Sequence, residues 1–499
     1  MKNISKTDYI NYRQCPKNLW LKIHKPELFS KYTLSSFEQH LMEQGNEVES
    51  HARNLQLFDG GVEVTSTGEQ AVQETARLMT EKTPTLFQAT FIADGFIVRN
   101  DMLSYDPLEN SWNLFEVKAT NSMKEGESER DHISDVAFQV EVMKRSNIKI
   151  GRYFLIHLDK EYKRNGALNM EALFTIEDIT EQVDTKLSGF GQDMETARWY
   201  LSEETEPSGA CDCVYLGRKK HCTTIGYSHP SIPEYSVHDL TRVSKKKMEA
   251  FIDGNIFHLE DIPPDMELSD NQKNQVLAHR LQKPLIEVEK IRDELTALTF
   301  PLYFLDYESY APAVPIFDGF GTYQQVPFQF SLRILQTPES EMEHVEFLHE
   351  ESSDPSLALI KKLTESVGNT GTVIAWYDPF EGMINRQLAE RHPEYESFFE
   401  NMNARLYDLM DIFQKQYYIH HGFRGSASIK KVLPTLLPEL SYVDLDIHEG
   451  GQASQAWWTM ISPSTSKEES KKIASDLKTY CGLDTYAMYA IWRYLHEKV

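Results

Sequence analysis

The sequence predicts an α/β protein built from more than one domain, on three observations. The chain has 499 residues, more than one ordinary core organises, which argues for two to four domains. Runs of strand character fall in two separate regions, 91–158 and 301–376, each mixed with stretches of helical periodicity. Between these regions lies a polar, helical stretch, 236–296.

Residues 1–80 predict helix, with apolar residues at three-to-four spacing through Leu41, Val48, Ala52 and Leu55. Phe91 to Val98, Met102 to Tyr105, Trp112 to Lys118 and Arg152 to Leu158 predict strands, with a turn at Asp106-Pro107. A helix from Ile133 to Arg145 is expected before the last of them, and residues 180–204 are helical again. Residues 205–235 are rich in Cys, Gly, Pro and Ser. The connector 236–296 has a helix–turn–helix texture around Phe251 to Phe257 and reads as a spacer. Pro301 to Asp306 then opens the second strand region, with Val326 to Leu335 and His344 to Leu348 as hairpin partners. A helix near Pro355–Val367, a strand Thr372–Trp376 and several helices follow. One late strand among helices predicts a mixed sheet. The expected boundaries fall near 235 and 297, giving 1–235, 236–296 and 297–499.

Composition narrows the function classes. With 40% hydrophobic and 25% charged residues the chain reads as globular, and no apolar run reaches the ~18–20 residues of a membrane span. The first residues lack the apolar core of a signal peptide. Five cysteines, an odd and low number, argue against a disulfide framework. The cytoplasm is therefore expected, with no membrane partner. Lys+Arg 51 against Asp+Glu 76 gives a net charge of −25, which repels polyanions and excludes a nonspecific nucleic-acid coat. It does not exclude a metal-dependent nuclease, because bound divalent ions reverse the local field of clustered carboxylates. Basic clusters occur at Arg218-Lys219-Lys220, Arg242 with Lys245-Lys246-Lys247, and Lys430-Lys431.

Phe304-Leu305-Asp306-Tyr307-Glu308 puts two carboxylates two apart near the end of an apolar strand, on one face, where both can reach one cation. Far downstream, Tyr480 and Asp484 stand one helical turn apart. A tyrosine above a metal-bound carboxylate can orient a water. The two motifs together resemble the DEDD exonucleases of the RNase H-like superfamily, in the Tyr-x-x-x-Asp subclass, over roughly 297–499. The resemblance implies a third carboxylate after a short strand. Here Val373 to Trp376 leads to Tyr377, where the family has Asn, and to Glu381, where it has Asp. Glu381 is the first choice, with Asp378 and Asp408 as further candidates. Two Mg²⁺ or Mn²⁺ ions and hydrolysis from a 3′ end are what the resemblance implies.

In the first half, Asp101 on one strand and Glu116 on the next could share a metal, with Lys118 on Glu116's face positioned to hold a phosphate. A helix downstream carries Asp135 and Gln139, one turn apart. Asp, Glu-x-Lys and a helical Gln resemble the RecB-like PD-(D/E)xK nucleases, a restriction-endonuclease-like fold, over roughly 1–230. The resemblance makes His51 a candidate upstream metal ligand. Cys15 precedes this core, and Cys211, Cys213 and Cys222 follow it. Four cysteines so placed resemble the Fe–S staple of CRISPR-associated and AddB-like nucleases and imply a [4Fe–4S] cluster. The Cys-x-Cys spacing departs from that pattern. Zinc held by Cys211, Cys213, Cys222 and either Cys15 or His221 is the alternative. Cys481 reads as packing. The whole chain resembles an uncharacterised bacterial family, carrying a domain-of-unknown-function label, that joins two such nuclease halves. The expected function is a two-site metal-dependent nuclease acting on DNA or RNA. The alternative is a metal-stabilised adaptor whose sites are degenerate.

Overall fold

The computed structural model describes residues 3–29, 35–124, 131–209, 211–443 and 445–498. The fold is mixed α/β, and the chain divides into two compact units: 1–231 with 312–324, and 232–311 with 325–499. Among the described residues no helix is long and apolar enough to cross a membrane.

In the first unit, α1 (Lys6–Gln14) and α2 (Pro16–His24) meet at Cys15, and α3 (Ser36–Ala52) follows. The sheet is built on β1 (Thr85–Ala93), β2 (Phe96–Asp106), β3 (Ser111–Lys118), β4 (Ile150–Leu158) and β5 (Phe174–Asp178), paired in that order, with short strands at Val62–Glu63 and Ile4–Ser5. Only β3 and β4 in this central run are parallel, and α4 (His132–Arg145) forms their crossover, as a parallel connection requires. Apolar residues occur all round α4, and ten of its positions are buried. Such a helix belongs inside the core. Phe138 stacks on Tyr9 of α1 at 5.1 Å, which carries the chain's start to the same core.

The expected strand Phe91 to Val98 is two strands. Asp94 and Gly95 both take positive φ, 50° and 82°, as a tight hairpin turn demands, and the later part joins Met102 to Tyr105 in β2. The helical stretch 180–204 breaks at Gly189 (φ 84°) into Thr180–Leu187 and Phe190–Ser202. β5 went unpredicted because its Phe-Thr-Ile-Glu-Asp alternation is brief and partly charged.

In the second unit, β6 (Leu302–Tyr310), β7 (Val326–Leu335), β8 (Glu343–Leu348), β9 (Thr372–Ala375) and β10 (Leu406–Asp408) form a sheet of order β8-β7-β6-β9-β10. β7 and β8 are antiparallel additions, whereas β6, β9 and β10 run parallel. α5 (Asp378–Arg391) leaves the end of β9, α6 (Ile429–Leu436) follows β10, and α7 (Lys467–Lys498) closes the chain. The period of two splits β6 cleanly. Tyr303, Leu305 and Tyr307 enter an apolar cluster with Phe330, Leu332, Leu359 and Ile384. Phe304, Asp306 and Glu308 take the other face, where Phe304 meets Tyr489 and Trp492 of α7 edge-on.

The connector 236–296 is more than a spacer. It groups with the second unit, and Phe251, Met248, Leu259 and Val276 form a core of their own. Its short strand Leu285–Ile286 pairs with Tyr418–Ile419.

Candidate functional site

The C-terminal carboxylates meet where β9 ends beside Leu305 of β6, the edge at which open α/β sheets bind ligands. β6 does not stop at Asp306: it runs to Tyr310, so Asp306 and Glu308 are strand residues, not turn residues. Both face α7, and one carboxylate oxygen from each lies with the Cys481 sulfur in a group whose atoms are all within 4.8 Å of one another. The Cys481 thiol donates to Asp306 Oδ2 at 3.4 Å. Cys481, expected only to pack, thus belongs to the site. Asp484 comes from α7, one turn beyond Tyr480, and accepts a 2.6 Å hydrogen bond from the Tyr442 hydroxyl on Oδ1.

Glu381 arrives from the first turn of α5 and is 3% exposed. Burial first, and then the charge of Asp306, push its carboxyl well above the ordinary range. Its Oε2 is buried without a hydrogen-bond partner. The other two candidates for the third carboxylate stand near enough to Glu381 to add to that rise by their charge. Asp408 Oδ1 accepts from the backbone N–H of Tyr377 and of Met410, each at 2.9 Å, and Asp378 is half-buried, with Asp411 as its charged neighbour. Tyr377, at the family's Asn position, is 53% exposed and turns the chain with φ 79°.

Asp306, Glu308 and Asp484 are raised as well, each by burial first. Asp306 also feels Asp484, Glu308 feels both aspartates, and Asp484 is pushed up to about 6. Among the described residues none of these four carboxylates forms a salt bridge. One cation stands nearby. Lys430 Nζ donates to the His448 carbonyl at 2.6 Å and to the Tyr480 hydroxyl at 3.4 Å. It lies 5.4 Å over the Tyr480 ring and 5.7 Å over that of Tyr442. Burial, and then the charge of Asp484, hold the Tyr480 hydroxyl protonated far above neutrality.

Residues 303–428 match the family model described as domain of unknown function, DUF2779. No curated protein matches the chain. The DUF2779 match carries Asp306, Glu308 and Glu381, and it stops short of Lys430, Tyr442, Tyr480 and Asp484.

The N-terminal residues also come together. The β2–β3 register, Met102 opposite Phe115, puts Asp101 beside Glu116, and the Val117 N–H donates to Asp101 Oδ2 at 2.9 Å. Gln139 donates to Glu116 Oε2 at 2.6 Å and accepts from Asn100 at 2.7 Å. Lys118 donates to Glu116 Oε1 at 2.9 Å and to Asp135 at 2.6 Å. A residue the sequence reading missed, Lys6 at the start of α1, donates to the same Glu116 oxygen at 2.5 Å. Burial would raise Glu116, but Lys118 and Lys6 outweigh it and hold the carboxyl well below the usual range. His51 does not join this group. It approaches Glu47 at 3.8 Å, whereas Glu49, ~200° round α3 from it, raises Asp101 by its charge. The α3 position facing the site is therefore Glu49, two residues from the expected ligand.

Asp101 has a measurable signature. Burial, and then the charge of Glu116, push its carboxyl up to about 8. Below about pH 4 the folded and unfolded states both hold this proton. From there to pH 8 the unfolded chain releases a proton that the folded chain keeps, so stability falls as pH rises. Asp101→Asn is expected to remove that slope and to raise the metal-free melting temperature at pH 7–8 by several degrees, at about 2–4 °C per kcal/mol. Melts of both proteins from pH 5 to 8 check this, and parallel curves would clear Asp101 of the effect.

The four cysteines form the third site. Cys211 Sγ lies 3.0 Å from Cys15, 3.2 Å from Cys213 and 3.1 Å from Cys222. All four sulfurs are within 4.8 Å of one another, a metal-binding arrangement. The Cys222 N–H points at Cys213 Sγ at 3.4 Å. His221 turns its Nε2 to the Leu216 carbonyl at 3.1 Å, so Cys15 takes the fourth position that the zinc alternative left open.

Proposed function

We propose that the protein is a divalent-metal-dependent nuclease whose working site is Asp306, Glu308, Glu381 and Asp484. The observation that carries this reading is the unpartnered Glu381 oxygen inside a buried group of carboxylates that form no salt bridge. A buried anionic cluster without a counter-ion is costly, and hard divalent ions are what its carboxylate oxygens take, with the Cys481 thiol, raised by burial, beside them. Two Mg²⁺ or Mn²⁺ ions bound there would act as Lewis acids toward water and a phosphodiester.

The chain's own groups divide the remaining work. Tyr442 donates to Asp484 Oδ1 and Tyr480 also hydrogen-bonds this carboxylate, whose remaining lone pairs serve a ligand. Tyr480, fixed as a phenol, orients a water or phosphate oxygen as a donor and does not serve as the base. The resemblance to DEDD exonucleases supports attack at a 3′ end. The Asp101, Glu116, Lys118 and Gln139 group supplies a second, nuclease-like site. Its Glu116 is already neutralised by two ammonium groups, which favours the C-terminal site as the active one.

End-labelled DNA and RNA incubated with Mg²⁺ or Mn²⁺ test the reading, and absence of hydrolysis on every strand type would leave the adaptor alternative. Within the nuclease reading, Glu381→Gln is expected to cut the rate by about a hundredfold or more, while Asp408→Asn, which keeps its backbone acceptor, stays within a few-fold. The reverse ranking would move the third carboxylate to Asp408.

For the cysteine centre two metals are in play. The family resemblance supports [4Fe–4S]; the alternative is a single zinc, whose ~2.3 Å bonds would set sulfurs roughly 3.8 Å apart, wider than the 3.0–3.2 Å from Cys211 to its three partners.

A further inference from the structure

We infer that the cleft beside the carboxylate site is a phosphate path for single-stranded nucleic acid, with Lys430 contacting the phosphate nearest the reacting bond. The inference rests on the nuclease reading above and adds where the strand lies. The cleft measures about 600 Å³, and Arg424, Lys430, Lys431, Tyr442 and His448 are among its walls. A volume of this size suits a nucleotide or two and not the width of a duplex. Tyr442 belongs to both places: it lines the cleft, and its hydroxyl binds Asp484.

In a chain of net charge −25, the cleft sets three cations against two carboxylates, Glu234 and Glu449, a small local excess of positive charge. The placement of the cations is not explained by folding. Lys430 and Lys431 occupy the first turn of α6, where the helix dipole disfavours cations and favours an anion. Neither forms a salt bridge among the described residues. Lys430 uses two of its three donors, on the His448 carbonyl and the Tyr480 hydroxyl, and two aromatic rings fix its ammonium. One donor is left for a ligand. Arg424 pairs with Glu234 at 2.6 Å, but Glu234 is 82% exposed, and such a surface pair is weak enough to be exchanged. Tyr442 is buried, carries the Lys430 ammonium over its ring and donates to Asp484, so it joins the cleft's cation to the carboxylate site.

The test uses the full chain and a fluorescein-labelled oligothymidylate, read by fluorescence anisotropy over a salt series and by hydrolysis with Mn²⁺. K430A/K431A is expected to weaken binding about tenfold and to lower the salt slope by about 1.4, at ~0.7 per phosphate contact on a single strand. K430R should restore the slope, since the charge is what counts. K431A alone, an exposed position, guards against a folding defect and should lower the slope by about half as much. Equal affinity and slope in wild type and double variant would overturn the path, as would wild type that binds no strand. If the slopes fall as expected but neither wild type nor D306A hydrolyses the strand, the nuclease reading fails and the path stands. If wild type hydrolyses it and K430A/K431A matches its KM and rate, the path fails and the nuclease reading stands.

Discussion

Asp306→Ala or Asp484→Ala is expected to reduce metal-dependent hydrolysis by about a thousandfold or more. Lewis-acid stabilisation of a phosphoryl transition state is worth several kcal/mol, and each 1.36 kcal/mol is a factor of ten. Asp306 stands at the centre of that stabilisation, because its charge reaches both Glu308 and Glu381. Folding should respond in the opposite direction. In the metal-free chain these carboxyls are raised by burial and mutual repulsion, so removing one relieves a cost, and the melting temperature should hold or rise. Metal affinity should also increase with pH, since raised carboxyls must lose protons before they bind a cation. With Asp484 at about 6 and Asp306, Glu308 and Glu381 raised as well, the gain is expected to begin near pH 6 and to continue above it. Single-turnover hydrolysis, calorimetric Mn²⁺ titration at several pH values and thermal melts read these effects separately. Hydrolysis undiminished in both variants would remove this site from the mechanism, whatever the melts show.

The parts of the site that share one element were legible in the sequence. Asp306 and Glu308 are two apart on a strand, and Tyr480 and Asp484 are four apart on a helix, so periodicity alone places each pair on one face. The end of the strand was not legible. The apolar run stops at Leu305, yet the strand continues because Asp306 and Glu308 are covered by α7, and only tertiary packing reveals that. Lys430 and Tyr442 reach the site from α6 and the loop after it; the Lys430-Lys431 pair stood out as a basic cluster but with nothing to tie it to the carboxylates, and no local pattern marks Tyr442. On α3 the error was one of helical phase: His51 and Glu49 are two residues apart, and only the sheet decides which of them turns inward. The Asp94-Gly95 turn, by contrast, was a signal present in the sequence and passed over.

Cys213→Ser is expected to strip the metal from the first unit and lower that unit's melting temperature by about 10 °C or more, leaving the second unit's transition in place. Cys15 lies 196 residues from Cys211, between α1 and α2, so the centre ties the chain's start to the end of the strand-bearing core. Closing a loop of that length removes about 5 kcal/mol of chain entropy from the unfolded state, and the metal–thiolate bonds add binding energy that counts as folding energy. At ~2–4 °C per kcal/mol for a unit of this size, losing even part of that total is a large shift. The four sulfurs are packed beside Leu216 and Ile225, and the other ties of this segment to α2 and the residue after it are polar ones, Lys17 and Lys25 to Glu206 and Thr223 and Thr224 to Asn18, which are individually weak. Protein prepared without oxygen should contain iron and absorb near ~400 nm if the centre is [4Fe–4S]. Colourless protein with one zinc per chain would assign the site to a single ion. Either metal should vanish in Cys213→Ser and persist in Cys481→Ser, whose thiol sits in the other unit beside Asp306. Wild-type protein that carries neither metal, and melts as Cys213→Ser does, would reduce the cluster to four packed thiols.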